Sequence, residues 1–368
     1  MSPSTRYTVI GAGNGGKAMA AHLALMGFET TLYNRTAEHV EAIRQRRGID
    51  LESGETGPRG FARLALVTSD MKEALEQCDV VMVVVPSSAH AEVARAMAPH
   101  LRNGQIVVLH PGRTCGALEV ARVLRDERCH ADVTIAEAET FLYASRSDGP
   151  AQARIFRIKE AVPLAALPSY RTGDVLGILH HAFPQYIDGG NVLRTGLNNM
   201  GAIFHPALTL LNAGRIESTR GDFQFYIDGV TPSVARVLEV LDRERVTVAA
   251  ALGIRARTAQ EWLALAYNAT GDNLYEAIQN QPGYYGIKAP PTLNHRYIFE
   301  DVPMSLVPIA ALGQRYGVAV AGIDSIIRLA CIIHRTDYWR RGRTLDKLGI
   351  ADLSVSELTR YVEEGVRG

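Results

Sequence analysis

The stretch Tyr7-Thr-Val-Ile-Gly-Ala-Gly-Asn-Gly-Gly-Lys-Ala-Met-Ala20 decides the fold of the N-terminal half. Its first four residues predict a buried strand, and the alanine-rich run after the glycines predicts a helix. The turn between them matches G-x-G-x-x-G, in which Gly11 permits a tight turn, Gly13 lets backbone approach a pyrophosphate, and Gly16 lets helix and strand pack closely. A glycine-rich turn without a ligand is the alternative, but the strand–turn–helix context favours a dinucleotide site at the helix N-terminus. The predicted cofactor loop is Gly11, Ala12, Gly13, Asn14, Gly15 and Gly16.

Short apolar strands alternate with helical patterns on either side of this loop. The predicted strands are Tyr7–Ile10, Thr30–Tyr33, Leu64–Thr68, Val80–Val85, Ile106–Leu109 and Val133–Ala136. The predicted helices are Gly15–Met26, Ala37–Arg47, Met71–Gln77, Ser88–Leu101 and Ala117–Asp126. Continuous apolar strands that alternate with helices indicate right-handed crossovers and a parallel sheet covered on both faces.

From about residue 190 the pattern changes to long helical periodicity. The predicted helices there are Leu193–Asn212, Ser233–Leu252, Ala259–Tyr267, Leu306–Tyr316 and Gly322–Leu329, with an irregular Pro/Gly-rich loop over 281–291. The sequence therefore predicts an α/β Rossmann-type doubly wound N-terminal domain over 1–190, which binds the dinucleotide. An all-α domain over 191–368 is expected to follow it.

Composition excludes several classes of partner. The 39 cationic residues balance the 39 acidic ones, and only five of the cations are lysines. A neutral chain lacks the field that draws proteins to nucleic acid or anionic membranes. No signal-peptide pattern and no apolar run of membrane-spanning length is present, and the four cysteines form no C-x-x-C pair. We expect a soluble cytoplasmic protein with no metal site, because no ligand spacing typical of metals occurs.

The segment after the second strand bears on the choice of cofactor. NAD-binding proteins usually carry Asp or Glu there for the ribose hydroxyls. This chain has Asn34-Arg35-Thr36, so Arg35 can clamp a 2′-phosphate and its neighbours can add hydrogen bonds. This predicts NADP(H) over NAD(H); an ordinary solvated arginine in an NAD enzyme is the alternative. Val85 and Pro86 are expected beside the nicotinamide, although Pro86 equally serves to end a strand.

Two segments of the second half hold candidate catalytic groups. His205 stands in an apolar helical run, and an imidazole suits proton transfer near neutral pH. On this observation alone a structural core histidine is the better interpretation. Arg296, Glu300 and Asp301 follow the irregular loop; an arginine can hold a carboxylate, and a carboxylate can orient an imidazolium. A structural Arg–Asp ion pair on a surface turn explains the same residues.

A series of short collinear blocks resembles the opine dehydrogenases, especially the bacterial N-(1-carboxyethyl)-norvaline dehydrogenase type. These blocks are the glycine loop, Val84-Val-Pro86, Gly116-Ala-Leu-Glu119, His205-Pro206, Leu210-Leu-Asn-Ala213, Gly229-Val-Thr-Pro-Ser233, Arg296-Tyr297, Phe299-Glu-Asp-Val302 and Gly342-Arg-Thr-Leu345. The resemblance spans nearly the whole chain and implies a Rossmann domain followed by a helical domain that also forms a homodimer. It implies a catalytic dyad of His205 and Asp301, with Arg296 holding substrate carboxylate.

The implied reaction is reductive condensation of a 2-oxo acid, such as pyruvate, with an amino acid or amine. One departure is Gly201, which stands where some relatives have an asparagine; Asn198 or Asn199 is the predicted substitute for substrate contact. Two alternatives stay open. One is a ketopantoate-type 2-oxo acid reductase, which is disfavoured because no lysine occurs between Lys159 and Lys288. The other is a non-catalytic NADP-binding regulatory protein.

Overall fold

The computed structural model describes residues 5–54 and 57–367, which form two compact units. The first unit runs to Thr195 and takes in the chain again from Arg360, and the second is Gly196–Thr359. The sequence placed the division at 190 and assigned the whole C-terminus to the second domain. The C-terminal end differs because Tyr361 packs on the first unit, where Arg125 Nη2 donates to its hydroxyl at 2.8 Å. A helical pattern in sequence does not reveal such a distant partner.

The first unit is built on a central sheet whose strand order is β12-β11-β8-β7-β6-β1-β2-β5. The strands, numbered in chain order, are β1 (Tyr7–Ile10), β2 (Thr30–Tyr33), β3 (Gly48–Ser53), β4 (Gly60–Arg63), β5 (Leu66–Thr68), β6 (Val80–Val83), β7 (Ile106–Leu109), β8 (Thr134–Ala138), β9 (Tyr143–Gly149), β10 (Gln152–Ile158), β11 (Val162–Leu167) and β12 (Tyr186–Asp188). Within the part of this sheet that runs in the order β8-β7-β6-β1-β2-β5, every pair of adjacent strands is parallel. Their order is that of a doubly wound Rossmann sheet, with the direction of winding reversing between β1 and β6. The predicted fold class is confirmed.

The helices of this unit alternate with the strands. They are α1 (Asn14–Leu25), α2 (Glu41–Arg46), α3 (Met71–Glu76), α4 (His90–Met97), α5 (Gly116–Asp126), α6 (Thr172–Leu179) and α7 (Val192–Leu197), the last of which leads into the second unit. Two predicted helices are shorter than expected. The segment from Ala37 begins as a 3₁₀ turn before α2, and the one from Ser88 ends at Met97.

Part of the β-structure was not predicted. A second sheet with the order β4-β3-β10-β9 packs against α1, which also contacts β1 and β2 of the central sheet. The helix is consequently buried from Gly16 to Leu23. The strands β9 and β10 are half exposed and rich in arginine, so they lack the continuous apolar runs on which the prediction relied. The strands that were predicted for the central sheet all pair in parallel, as expected. The sheet also contains β11, which was not predicted and runs antiparallel to β8.

The second unit is helical, as predicted. Its helices are α8 (Met200–Leu211), α9 (Ala213–Thr219), α10 (Pro232–Ala251), α11 (Ala259–Tyr267), α12 (Leu274–Gln279), α13 (Arg296–Phe299), α14 (Val307–Arg315), α15 (Ala321–His334), α16 (Tyr338–Arg341), α17 (Leu345–Leu348) and α18 (Val355–Glu364), which ends in the first unit. The predicted single helix Leu193–Asn212 is interrupted between α7 and α8. A π-helical turn, Val302–Leu306, precedes α14. Among the described residues, no helix has both the length and the apolar content to cross a membrane.

Candidate active site

The glycine loop between β1 and α1 is shaped for a phosphate group. Gly11 has a φ of +108°, and a Cβ there would lie 2.4 Å from the carbonyl oxygen of Val84. A Cβ on Gly16 would lie 1.7 Å from the carbonyl oxygen of Gly11. A Cβ on Gly13, by contrast, would meet nothing within 4 Å. Chain packing therefore requires Gly11 and Gly16, whereas Gly13 leaves open space at the start of the helix.

The N-terminus of α1 is suited to bind an anion. Gly13 supplies no side-chain cap, and the first turn of α1 contains no acidic residue. The unpaired N–H groups and the positive end of the helix dipole therefore stay available to a pyrophosphate. Val85 borders the loop, since its Cγ1 lies 2.8 Å from the position of a Cβ on Gly11. Pro86 follows it and begins the next 3₁₀ turn.

Two asparagines predicted to touch the cofactor also hold the loop in place. Asn34 Oδ1 accepts from the backbone N–H of Ala12 at 3.2 Å, and its Nδ2 donates to the carbonyl of Thr36 at 3.0 Å. Asn14 Oδ1 accepts from the backbone N–H of Ser147 at 3.1 Å. Asn34 thus ties the end of β2 to the phosphate loop, a role that the spacing did not predict.

Arg35 lies at the end of β2 and is 73 % exposed. It forms an ion pair with Glu92, which stands in the first turn of α4. The sequence shows no carboxylate at the end of the second strand, yet the fold brings one there from 57 residues further along the chain. Arg35 is therefore accessible to a phosphate, but a negative charge stands beside it.

His205 and Asp301 form a hydrogen-bonded pair within the second unit. Nδ1 of His205, on α8, lies 2.8 Å from Oδ2 of Asp301, which immediately precedes the π-helical turn. The Asp301 side chain is fully buried, and that of His205 is 19 % exposed. Among the described residues, Nε2 of His205 has no hydrogen-bond partner. An imidazole with one nitrogen held by a buried carboxylate and the other open is arranged to transfer a proton.

Arg296 lies at the start of α13 and pairs with Glu300, not with Asp301. Its Nε and Nη2 both lie 2.9 Å from Oε2 of Glu300, whose side chain is 1 % exposed. The Arg296 side chain is 50 % exposed. A guanidinium carries five N–H donors, and Glu300 occupies only those that face its Oε2. The remaining N–H donors of Arg296 are available to a ligand. The alternative interpretation was a structural ion pair between an arginine and an aspartate. Arg296 does form an ion pair, but its acidic partner is Glu300.

The two asparagines predicted to contact substrate are buried and hold the break between α7 and α8. Oδ1 of Asn198 accepts from the backbone N–H of Arg257 at 3.0 Å. Nδ2 of Asn199 donates to Oγ of Ser305, in the π-helical turn, at 2.8 Å. These bonds give both residues structural partners within the second unit. Their contact with substrate stays a prediction.

Aromatic side chains around His205 were not found from the sequence. The ring of Tyr297 stacks on the imidazole, with centroids 4.1 Å apart and planes at 19°. Phe225 stacks on Tyr297 at 5.3 Å and 21°. Tyr297 lies in the Arg296-Tyr297 block, which pointed to the arginine and not to the ring, and Phe225 lies in an irregular segment, so no periodic pattern linked either residue to His205.

A Rossmann unit with an open glycine loop, in a chain that also carries a paired histidine and carboxylate, defines a nicotinamide-dependent dehydrogenase. Two family models match the chain. Residues 188–334 match the α-helical domain of NAD/NADP octopine/nopaline dehydrogenases, and residues 6–112 match the N-terminus of NAD-dependent glycerol-3-phosphate dehydrogenase. An opine dehydrogenase from Arthrobacter sp. (strain 1C) is 39 % identical over 363 residues, covering 99 % of this chain and 100 % of the relative. The chain therefore belongs to the opine dehydrogenase family.

Members of this family are NAD(P)-dependent oxidoreductases acting on CH–NH bonds, which couple a 2-oxo acid to an amino acid or amine. Solved structures agree with the fold. Octopine dehydrogenase with NADH and L-arginine superposes with a TM-score of 0.82 at 21 % identity, covering 97 % of this chain and 98 % of the other. Yersinopine dehydrogenase with NADP⁺ bound superposes with a TM-score of 0.74 at 16 % identity, covering 99 % of each chain.

Proposed function

We propose that this chain condenses a 2-oxo acid such as pyruvate with an amino acid or amine, and reduces the product with NADPH in preference to NADH. The observation that carries the proposal is the His205–Asp301 pair, whose outer ring nitrogen is open. Related octopine dehydrogenase structures contain NADH together with L-arginine, agmatine or pyruvate. They support pyruvate and an amine as the classes of substrate to test first.

His205 is the proposed acid–base group. The amine attacks the carbonyl carbon, the oxygen leaves as water, and the resulting imine carbon accepts a hydride. Nε2 of His205 gives the proton that the departing oxygen requires, while Asp301 holds Nδ1 and stabilises the imidazolium. The nicotinamide ring supplies the hydride when the cofactor is bound. A group of this kind contributes about 10²–10⁴ in rate, so His205→Ala is expected to lose that factor.

Arg296 is the proposed anchor for a substrate carboxylate. Its side chain is half exposed, and Glu300 fixes one edge of the planar guanidinium. The other edge can accept a carboxylate through two parallel hydrogen bonds and so orient the carbon that receives the hydride. Asn198 and Asn199 are proposed to contact the substrate as well, and their bonds to Arg257 and Ser305 fix the segment that leads into α8.

The preference for NADPH rests on the segment at the end of β2. The glycine loop of Gly11 to Gly16 is proposed to hold the pyrophosphate, with Val85 and Pro86 beside the nicotinamide. Arg35 is proposed to hold the 2′-phosphate, with Asn34 and Thr36 fixing the backbone around it. Replacing Arg35 with Ala is expected to lower kcat/KM for NADPH by more than tenfold and to leave NADH nearly unchanged. An unchanged ratio of the two constants would exclude Arg35 from cofactor selection.

A homodimer in the cytoplasm is the proposed setting. The resemblance to opine dehydrogenases suggests the dimer, and the helical second domain, over 191–368 in the predicted division, is proposed to form it. All four cysteines are free thiols, as expected in a reducing compartment. Small molecules are the proposed partners, without nucleic acid or membrane.

Oxidation of NADPH, followed at 340 nm over a matrix of oxo acids and amines, tests the proposal. We expect turnover only when both substrates are present. Turnover with an oxo acid alone would indicate a plain 2-oxo acid reductase. No turnover over a broad matrix, together with tight NADPH binding, would indicate a regulatory cofactor-binding protein.

A further inference from the structure

We propose that Tyr297 is a positioning residue for the acid–base histidine. The inference rests on the proposed function, because it assigns to Tyr297 the task of orienting a ring whose role is proposed there. It starts from the single hydrogen bond that holds the imidazole. Nδ1 of His205 bonds to Asp301 at 2.8 Å, while Nε2 has no partner among the described residues.

One hydrogen bond does not fix the orientation of a ring. The bond holds Nδ1 and the backbone anchors Cβ, but a hydrogen bond tolerates some bending, so small combined rotations about the two side-chain torsions can still tilt the imidazole. Such a tilt moves Nε2, the atom that must meet the substrate. Reaction rates fall steeply when the reacting groups leave their aligned geometry. A second contact is therefore required to hold Nε2 in place.

The face of Tyr297 provides that contact. Its ring lies 4.1 Å from the imidazole centroid with the planes 19° apart, so the two rings are stacked over their faces. A stacked neighbour opposes tilting because any tilt drives one edge of the imidazole into the ring. An aromatic face also favours a cation above it, so the same contact stabilises the imidazolium form.

Tyr297 is itself held from two sides. Phe225, which is fully buried, stacks on it at 5.3 Å and 21°. His295 meets its edge at 4.4 Å with the planes at 78°. These contacts matter because α13, which carries Tyr297, is only four residues long. The orientation of the acid–base histidine is thus fixed by Asp301 at one atom and by an aromatic stack at its face.

Substitutions at Tyr297 and a matched control test this assignment. Tyr297→Leu removes the ring face and is expected to lower kcat at least tenfold, with the KM values for both substrates within about threefold of the parent. Tyr297→Phe keeps the face and is expected to restore kcat to within twofold. The control is Tyr284→Leu, which removes a comparable stacked pair, with Tyr226 at 4.1 Å and 13°, that does not include the histidine. We expect this control to keep its kcat.

The outcomes separate the inference from the proposed function. If His205→Ala retains turnover, the proposed function fails and Tyr297 has no ring to orient. If His205→Ala is inactive but Tyr297→Leu turns over normally, the positioning role alone is wrong. A loss in Tyr297→Phe equal to that in Tyr297→Leu, or an equal loss in Tyr284→Leu, also overturns it. Adding Tyr297→Leu to His205→Ala should cause no further loss, because Tyr297 acts through the histidine.

Discussion

At the scale of single residues, the burial of Asp301 has the clearest chemical consequence. Its carboxylate is fully enclosed and lies 2.8 Å from Nδ1 of His205. A buried carboxylate is costly unless it is paired, and in the proposed reaction the imidazolium of His205 would pair with it directly. Asp301 is therefore expected to stabilise the imidazole ring of His205 when that ring carries a second proton during the proposed reaction.

Asp301→Asn tests this directly. The amide cannot stabilise an imidazolium, and it can turn its NH₂ group toward Nδ1 and impose the wrong tautomer. We expect kcat to fall by about 10², at the lower end of what a proton-transfer group contributes. Steady-state rates at saturating substrates measure the effect, and NADPH binding by fluorescence titration serves as the control. A variant with near-normal kcat would remove Asp301 from the mechanism.

At the scale of elements, the end of β2 and the start of α4 together surround Arg35. The sequence of β2 and its loop was sufficient to identify Arg35 as a phosphate candidate. The carboxylate of Glu92 comes from another element, and only the fold brings it there. The two charges are exposed, so their mutual attraction is small, and the 2′-phosphate would approach an arginine that is partly neutralised.

Glu92→Gln is expected to raise the ratio of kcat/KM for NADPH to that for NADH by about three- to tenfold. The reason is that a carboxylate near the 2′-phosphate costs about 1 kcal/mol in a water-like dielectric. The change should shrink at high salt. Glu41→Gln is the matched control, since Glu41 is another exposed partner of an arginine, Arg44, on α2. Equal ratios in Glu92→Gln and the parent would contradict the placement of the 2′-phosphate.

The elements that the sequence predicted best are the buried parallel strands. β1, β2 and β7 match their predicted bounds residue for residue. The clearest case is β7, Ile-Val-Val-Leu, which is buried throughout, because a strand covered on both faces needs a continuous apolar run. The strands β9 and β10 escaped prediction because each is half exposed. Helix bounds shifted where local turns intervened, as at the 3₁₀ turn before α2.

The candidate site was predictable only in part, for a related reason. The glycine loop is local, so its spacing alone was sufficient. His205 and Asp301 lie 96 residues apart, and no spacing rule joins them; their pairing was expected only from the family resemblance. The structure brings them into contact, while their catalytic role remains a prediction. The Arg296–Glu300 pair is local, with a spacing of four residues, and could have been predicted from the sequence. Tyr297 meets His205 only through the packing of α13 against α8.

At the scale of the whole molecule, stability is expected to depend on pH through two buried histidines. Burial lowers the pKa of His22 to about 4 and that of His110 to about 3. Both stay neutral in the folded protein near pH 5, whereas in the unfolded chain they take up protons below about pH 6.5. Near pH 5 the unfolded state therefore binds more protons than the folded state. The free energy of unfolding is consequently lower at acid pH than at neutral pH.

Between pH 7 and pH 5 each of these histidines should remove about 2 kcal/mol of stability. Urea unfolding at the two pH values measures the loss. His22→Gln should reduce the difference between the urea midpoints at pH 7 and pH 5. The variant is also expected to unfold at a lower urea concentration at pH 7, because it disturbs the hydrogen bond between His22 and the Tyr143 hydroxyl. His130→Gln, at an exposed position, should leave the difference unchanged. A pH difference equal in the parent and in His22→Gln would show that His22 titrates normally.

The return of the C-terminus to the first unit has a consequence for how this gene can recombine. The residues proposed to hold the cofactor belong to a unit encoded by two separate stretches, one ending at Thr195 and one starting at Arg360. A chimaera that exchanges this unit between two homologues by a single crossover near residue 195 would separate Arg125 from its native partner Tyr361. Two crossovers, the second near residue 360, keep the pair from one parent. We therefore expect a chimaera that takes both ends of the gene from one parent to keep the first unit intact, whereas a single crossover loses the Arg125–Tyr361 hydrogen bond.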